Sequence, residues 1–124
     1  MKQFPKLLGI IVLLTVIGFS LAACKDAGPV LTIVNNTGYR VDIVQISPIT
    51  DSTWGSDWLG YSYLYNGSSM SFTLSKNGTY DIRLIDLDYY TYVKWDVPVN
   101  GNKTVTFTPF DGHGWLSVHY ENKK

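Results

Sequence analysis

From residue 30 onward, hydrophobic and polar residues alternate in short runs that are separated by turn-forming residues. A period of two places successive side chains on opposite faces of an extended strand. The pattern predicts strands over residues 30–35, 39–47, 69–74, 80–86, 91–99, 104–108 and 115–120. No run beyond residue 30 repeats hydrophobic residues at helical spacing, so the domain is predicted to be all-β.

The alternation also predicts which side chains share a face. The fourth predicted strand has an apolar face and a charged face, formed by Tyr80, Ile82 and Leu84 and by Asp81 and Arg83. The fifth is predicted to point three apolar side chains inward and two charged ones outward, namely Val93, Trp95 and Val97 against Lys94 and Asp96. In the second strand the apolar face changes after Ile43, which predicts a bulge or burial on both sides.

The Asn-Gly pairs Asn77-Gly78 and Asn100-Gly101 are each closely flanked on both sides by predicted strands. Asn-Gly flanked by alternating residues is the strongest short-range signal for a β-hairpin, so each pair is predicted to join neighbouring strands. Six or seven short strands separated by turns predict an antiparallel β-sandwich of immunoglobulin-like architecture. A small open barrel is the alternative.

The chain begins with a different pattern. Lys2 and Lys6 precede an apolar run of 17 residues, 7–23, which is followed by Cys24. A charged start, a short apolar core and a small-residue cleavage site are the features of a secretory signal peptide. A transmembrane helix is one alternative, because about 17–25 apolar residues span a bilayer. Ordinary signal cleavage that leaves a free cysteine is the other.

The sequence Leu21-Ala22-Ala23-Cys24 resembles the type II signal of bacterial lipoproteins. The resemblance implies that Cys24 carries a diacylglycerol, that cleavage follows Ala23, and that the new amine is acylated. Membrane lipid is therefore an expected partner through Cys24. Beyond the covalent diacylglycerol and acyl chains at Cys24, no cofactor is expected.

This interpretation divides the chain into a signal peptide (residues 1–23), a lipidated linker (24–29) and a β-sandwich domain (30–124). The expected location is the bacterial cell envelope. In lipoproteins of diderm bacteria, an Asp directly after the cysteine tends to retain the protein at the inner membrane. This chain has Lys25 there, so the resemblance favours the outer membrane.

Composition fits a small exported domain. Removing residues 1–23 from the 124-residue chain leaves 101 residues, a common size for one domain. They carry eight basic and ten acidic side chains, so no basic field attracts nucleic acid. Cys24 is the only cysteine, so no disulfide forms within the domain and packing must stabilise it. A soluble monomer, apart from its lipid, is expected.

Residues 46–48 (ISP), 51–60 (DSTWGSDWLG) and 80–92 (YDIRLIDLDYYTY) together resemble a small β-domain of uncharacterised bacterial lipoproteins. In that family the last segment often reads Asp-x-Asp-Gly-Asp-x-Tyr. Asp86 and Asp88 match this pattern, whereas Tyr89 and Tyr90 stand where Gly and Asp would. The resemblance implies a fold but no established activity.

Asp86 and Asp88 are the candidates for a calcium site. Calcium takes six to eight oxygen ligands, and two aspartates supply too few unless Asp51 and Asp57 lie close in the fold. A tyrosine pair is also not expected to make the tight turn that glycine allows. The alternative, which we favour, is that these aspartates cap turns by accepting hydrogen bonds from local backbone. No metal site is therefore predicted.

The sequence contains no recognisable catalytic motif. The two histidines, His113 and His119, lack the spacing of a zinc site and are expected to face solvent. No Gly-x-Ser-x-Gly turn and no phosphate-binding glycine loop is present. No catalytic residue is predicted, and the chain is not expected to be an enzyme; a hydrolase is the least favoured interpretation.

One aromatic stretch remains as the candidate binding site. Its members are Trp54, Trp58, Tyr61, Tyr63 and Tyr65. Tyr and Trp are enriched at binding hot spots, and loops on a rigid sandwich commonly carry binding residues. The sequence thus predicts a non-catalytic binding module for an envelope protein or glycan. The alternative is a structural envelope lipoprotein without a specific ligand, in which these aromatics complete the core.

Overall fold

A computed structural model describes residues 27–116 and 122–123. The strands in these residues are β1 (Val30–Asn35), β2 (Val41–Pro48), β3 (Ser69–Thr73), β4 (Gly78–Asp86), β5 (Tyr90–Val99), β6 (Lys103–Phe107) and β7 (Gly112–Trp115), with one 3-10 turn at Pro109–Asp111. Across the same residues, no helix has the length and apolar character needed to cross a membrane. The signal peptide, Cys24, His119 and residues 117–120 of the predicted last strand lie outside the described residues.

The strands form two sheets, which confirms the predicted all-β sandwich. One sheet has three strands in the order β3-β1-β6, and the other has four in the order β2-β4-β5-β7. β1 pairs antiparallel with β3 but parallel with β6. Every other strand pair in the described residues is antiparallel, as predicted.

The core lies between the sheets and is closed at one edge by a loop. Its fully buried members from the two sheets include Leu31, Ile33, Phe107, Val44, Ile82 and Leu84. Burying each such side chain stabilises the fold by about 1.5–3 kcal/mol. Leu64, in the connection between β2 and β3, exchanges two backbone hydrogen bonds of 2.9 Å with Val41 and joins the same core.

β2 contains the irregularity that its sequence predicts. The register with β4 shifts between Val41 and Ile43. Val41 and Val44 both lie in the core, whereas Ile43 does not. An extra residue in one strand moves every later side chain to the opposite face, so the prediction of a bulge in this strand is confirmed.

β5 contains a second bulge that the sequence analysis missed. Tyr80 pairs with Val97 and Ile82 pairs with Lys94, so β5 has one residue more than β4 over this stretch. Asp96 lies inside the bulge and has a φ of 54°. Bulges of this kind bend the strand and interrupt the alternation of side chains.

The bulge in β5 overturns the predicted face of two residues. The Asp96 N–H donates to Asp81 Oδ1 at 2.9 Å, which fixes the bulge from the neighbouring strand. Val97 joins the core as predicted, but Val93 is buried outside that core and Trp95 is half-buried. Val93, Trp95 and Val97 therefore do not share one inward face.

β4 is buried on both faces. Asp81 and Arg83 lie on the face away from the core, yet both are buried, because the connection between β2 and β3 crosses this face. The residues that meet there form what we call the outer cluster: Gln45, Trp54, Asp81, Arg83, Trp95 and Lys123.

The two Asn-Gly turns do not form hairpins, so that prediction is wrong. Each connects strands of different sheets: Asn77-Gly78 leads from β3 to β4, and Asn100-Gly101 leads from β5 to β6. Gly78 lacks the positive φ that a type I′ hairpin turn requires. The two turns instead lie side by side, with Asn77 Nδ2 donating to Asn100 Oδ1 at 3.2 Å and the Gly101 N–H donating to Asn77 Oδ1 at 3.0 Å.

The strands run between two ends of the sandwich. At the N-terminal pole, residues 27–29 lie beside the two Asn-Gly turns, and the Val30 N–H donates to Asn102 Oδ1 at 2.9 Å. At the opposite end, the far pole, the turns after β1 and β4 meet the 3-10 turn. Because β1 and β4 both run from the first pole to the second, about 20–30 Å of strand separates them.

Candidate binding cleft

An open cleft of about 680 Å³ lies at the far pole. Four aromatic side chains and two carboxylates contribute to its lining: Tyr39, Tyr90, Tyr92, Trp115, Asp86 and Asp88. Small-molecule sites usually enclose about 300–1,000 Å³ and combine apolar walls with a few fixed polar groups. This far-pole cleft has the size and the lining of such a site.

The turn between β4 and β5 shapes one side of the cleft. Asp86 Oδ1 accepts hydrogen bonds from the Asp88 N–H at 2.8 Å and from the Tyr90 N–H at 3.0 Å. Tyr89 closes the turn with a φ of 63°. The expectation that a tyrosine could not replace the glycine of this turn is therefore wrong, because the bonds to Asp86 hold the left-handed backbone in place.

The floor of the cleft is a buried hydrogen-bonded pair. The Tyr92 hydroxyl donates to Asp86 Oδ2 at 3.1 Å, and both side chains are 3% exposed. Burial, reinforced by the neighbouring Asp86 carboxylate, raises the pKa of Tyr92 to about 12. Tyr92 thus remains a neutral hydrogen-bond donor at physiological pH.

Aromatic rings at steep angles to one another form the wall. Tyr90 and Tyr92 have ring centroids 5.3 Å apart at 62°, and Tyr90 and Trp115 have centroids 5.4 Å apart at 88°. Gly112 permits this packing, because a Cβ there would lie 2.8 Å from Tyr90 Cε1. Trp115 itself is 72% exposed, so its ring is available to a ligand.

β7 holds Trp115 at the edge of the four-stranded sheet. Tyr90 of β5 is the register partner of Trp115. The Thr91 hydroxyl donates to the Gly114 carbonyl at 2.8 Å, and the Leu116 N–H donates to the Tyr89 carbonyl at 2.8 Å. The exposed indole therefore stands on a backbone that is fixed on both sides of it.

The lining of the cleft is acidic. It includes Asp86 and Asp88, and none of the described residues that line it is a lysine, arginine or histidine. Two cations on neighbouring segments have acidic partners of their own, because Arg40 Nε lies 2.7 Å from Asp42 Oδ1 and Lys94 Nζ lies 3.1 Å from Asp111 Oδ1. A ligand in the cleft therefore meets negative charge.

The predicted aromatic stretch is divided by the structure. Trp54 is 2% exposed and belongs to the outer cluster, where its ring lies 5.2 Å from that of Trp95 and 4.8 Å from the Arg83 guanidinium carbon. Lys123 Nζ lies 5.6 Å from the same ring. Trp54 is therefore buried, in line with the alternative for this stretch, but it lies in the outer cluster and not in the core between the sheets.

The other four members are solvent-accessible and form what we call the aromatic strip: Trp58, Tyr61, Tyr63 and Tyr65. Tyr61 is fully exposed. Tyr63 is stacked by the Arg40 guanidinium at 4.0 Å and packs edge-on against Tyr65 at 6.4 Å. None of the four contributes to the lining of the far-pole cleft, so the strip is a separate surface.

The calcium candidates lie in the cleft but are arranged as turn residues. Asp86 Oδ1 accepts two hydrogen bonds from local backbone, as the favoured alternative predicted. Its Oδ2 accepts one from the Tyr92 hydroxyl, which was not predicted. Asp57 caps its loop in the same way, accepting from the Val44 and Leu59 N–H groups at 3.0 and 2.9 Å. Among the described residues, no three His, Cys, Asp or Glu side chains group as metal ligands do. His113 is exposed, as expected.

The aromatic residues of the cleft were not singled out from the sequence as binding residues. Tyr39, Tyr90, Tyr92 and Trp115 come from three distant segments that only the fold brings together. The one local signal was the acidic turn at Asp86 and Asp88, which the sequence assigned to metal or to capping.

Comparison of the chain with protein-family models, with curated proteins and with solved structures finds no significant match in any of the three.

Proposed function

We propose that this protein is a lipid-anchored binding module of the bacterial cell envelope and that its ligand binds in the far-pole cleft. The observation that carries the proposal is the cleft itself, with three aromatic rings in edge-to-face contact above a buried, hydrogen-bonded carboxylate. Aromatic walls supply contact area, and fixed polar groups orient a ligand. The proposal assigns no catalytic residue.

The position of the N-terminus supports the same proposal. Residues 27–29 lie at the N-terminal pole, close in sequence to the proposed lipid at Cys24. A tether at that pole leaves the cleft at the end of the domain that points away from the lipid. A cleft in this position is open to ligands from the surrounding compartment.

The proposal is tested with the full-length lipidated protein in an uncharged detergent, screened against arrays of envelope glycans and peptides. Trp115→Ala removes an exposed ring of the cleft, and Tyr61→Ala removes an exposed ring outside it, so both variants should fold. We expect binding to be lost in Trp115→Ala and kept in Tyr61→Ala. If both variants bind as the wild type does, the cleft is not the site.

The aromatic strip is the second candidate, in line with the binding role predicted from the sequence. Tyr61 is fully exposed, and Arg40 stacks on Tyr63 at 4.0 Å, a combination of residue types that is common at protein interfaces. Loss of binding in Tyr61→Ala alone would assign the function to this surface. A protein that binds nothing on either array would instead fit the structural lipoprotein.

A further inference from the structure

A buried carboxylate that forms no salt bridge with any described residue lies at the floor of the far-pole cleft. Asp86 is 3% exposed, and the salt bridges found in the described residues join other pairs. Buried carboxylates are normally paired or hydrogen-bonded, because desolvation disfavours an isolated charge. Three donors among the described residues hold the Asp86 carboxylate, and all three are N–H or O–H dipoles that carry no positive charge. Asp88 adds a second carboxylate to the lining.

The rings above this carboxylate attract the same kind of ligand. Tyr90 meets Tyr92 at 62° and Trp115 at 88°, so the ring planes turn around the cleft instead of forming one flat platform. The face of an aromatic ring carries negative electrostatic potential and attracts cations within about 6 Å of its centroid. The exposed indole of Trp115 offers such a face to a ligand.

We infer that the far-pole cleft binds a small organic cation with an alkylated ammonium group, an inference that rests on the proposed function and names its ligand class. Anionic ligands are repelled by Asp86 and Asp88. Asp86 Oδ1 already accepts two hydrogen bonds and Oδ2 accepts one, so Asp86 acts on a ligand mainly through its charge. An alkylated ammonium needs no acceptor, because carboxylate charge and ring faces attract it directly.

The tether favours a soluble cation over a headgroup of the protein's own membrane. Residues 27–29 and the cleft lie at opposite poles, so lipid attached near the N-terminus is on the far side of the domain from the cleft. We therefore infer that the ligand is a small soluble molecule. Binding to vesicles with choline headgroups is measured separately to test the alternative of a lipid surface.

The test is calorimetry on the full-length lipidated protein in dodecyl maltoside, an uncharged detergent without choline. Choline is compared with neohexanol, which has the same shape but carbon in place of the charged nitrogen. We expect choline to bind at least about tenfold more tightly than neohexanol, and its affinity to fall as salt is added. No binding of choline, or equal binding of both compounds, overturns the inference.

Substitutions inside and outside the cleft test whether the cation binds there. Trp115→Ala should weaken choline binding about two- to thirtyfold, the range of one cation–π contact. Asp88→Asn should weaken it several-fold at low salt, and the Tyr61→Ala control should leave it unchanged. Unchanged affinity in both Trp115→Ala and Asp88→Asn overturns the inference. A higher affinity for choline-headgroup vesicles than for soluble choline would show that the ligand is a lipid surface and not a soluble molecule.

The two proposals fail in different ways. If the array screen finds a ligand that depends on Trp115 and choline does not bind, the cleft is a binding site but its ligand is not an alkylated ammonium. If Trp115→Ala changes neither the binding found on the arrays nor the binding of choline, the cleft is not a binding site and both proposals are wrong.

Discussion

Asp86 links the local structure of a turn to the chemistry of the cleft. One carboxylate oxygen holds two backbone N–H groups of the turn, and the other holds the Tyr92 hydroxyl. Charge-assisted hydrogen bonds of this kind are stronger than neutral ones. The same side chain therefore fixes the position of Tyr90 and supplies negative charge to the cleft floor.

Removing the Asp86 carboxylate should destabilise the domain. Asp86→Ala leaves the N–H groups of Asp88 and Tyr90 and the Tyr92 hydroxyl without their acceptor, and we expect a loss of about 3 kcal/mol in the free energy of unfolding. Urea denaturation measures this loss. The exposed Asp88→Ala is the control and should change stability by less than about 0.5 kcal/mol. Equal stability of the two variants would contradict the role given to Asp86.

Tyr92 should titrate apart from the exposed tyrosines. Its pKa is raised from 10.0 to about 12, so the folded state favours the neutral phenol. That contribution to stability is fully present below pH 10 and is lost as the pH rises through about 12. Ultraviolet absorbance of tyrosinate should show one late-titrating group that is missing in Tyr92→Phe. A wild-type titration curve that matches the variant would contradict this prediction.

For single residues, the sequence predicted the contacts that form between residues close together in the chain. An Asx-type cap forms with backbone two to four residues away, so Asp86 could be recognised as a turn residue. The pairing of Asp86 with Tyr92 and the approach of Trp115 depend on how strands are joined in the sheet. Those contacts could not be predicted from residue spacing along the chain.

The connection between β2 and β3 acts as a structural element although it contains no strand. It covers the outer face of β4 with Trp54 and the edge of β2 with Leu59 and Leu64. Gln45 ties it to the sheet, donating from Nε2 to the Gly55 carbonyl at 2.9 Å while its Oε1 accepts from Arg83 Nε at 2.7 Å. β4, in the interior of the four-stranded sheet, is thereby buried on both faces.

Trp54 should be one of the most important residues for stability. It is 2% exposed, and truncating a buried aromatic costs about 3–5 kcal/mol. Small domains have about 5–15 kcal/mol in total, so Trp54→Ala should melt far earlier than the wild type in a thermal scan followed by circular dichroism. Tyr61→Ala, from the same connection, should melt with the wild type. Coincident melting of all three proteins would show that the outer cluster contributes no stability.

Strand positions were largely predictable from the sequence, whereas faces and neighbours were only partly so. Alternation located β1 to β6 within about two residues, because period-two patterning is local. The predicted faces of Val93 and Trp95 were wrong, because the bulge at Asp96 depends on a hydrogen bond to the Asp81 carboxylate of another strand. The prediction of hairpins was wrong, because an Asn-Gly pair favours a turn but does not determine whether the two flanking strands lie in the same sheet.

The domain has two structurally different ends. The N-terminal pole collects the start of the domain and the two Asn-Gly turns, and the far pole carries the cleft. The aromatic strip lies on the connection that covers the edge of β2. With the proposed lipid at Cys24, such an arrangement would present the cleft away from the membrane.

Membrane attachment should depend on Cys24. In bacteria grown with labelled fatty acid, we expect the wild-type protein to carry label and to enter the detergent phase. Two or more acyl chains give stable anchoring, since each buried CH₂ contributes about 0.8 kcal/mol. Cys24→Ala should remove both the label and the partitioning, while Trp115→Ala should keep them. Label that persists in Cys24→Ala would rule out the proposed anchor.

The central place of β1 also constrains the order in which the protein can fold. β1 begins the domain, yet its neighbours are β3 and β6, and the bond from Val30 to Asn102 spans 72 positions. Contacts of such long range make folding slow, on the order of milliseconds to seconds for β-sandwiches. If the chain is exported N-terminus first, β1 crosses before the other strands, whereas its partner β6 crosses near the end. In a chain exported as proposed, the three-stranded sheet could therefore close only after β6 has crossed.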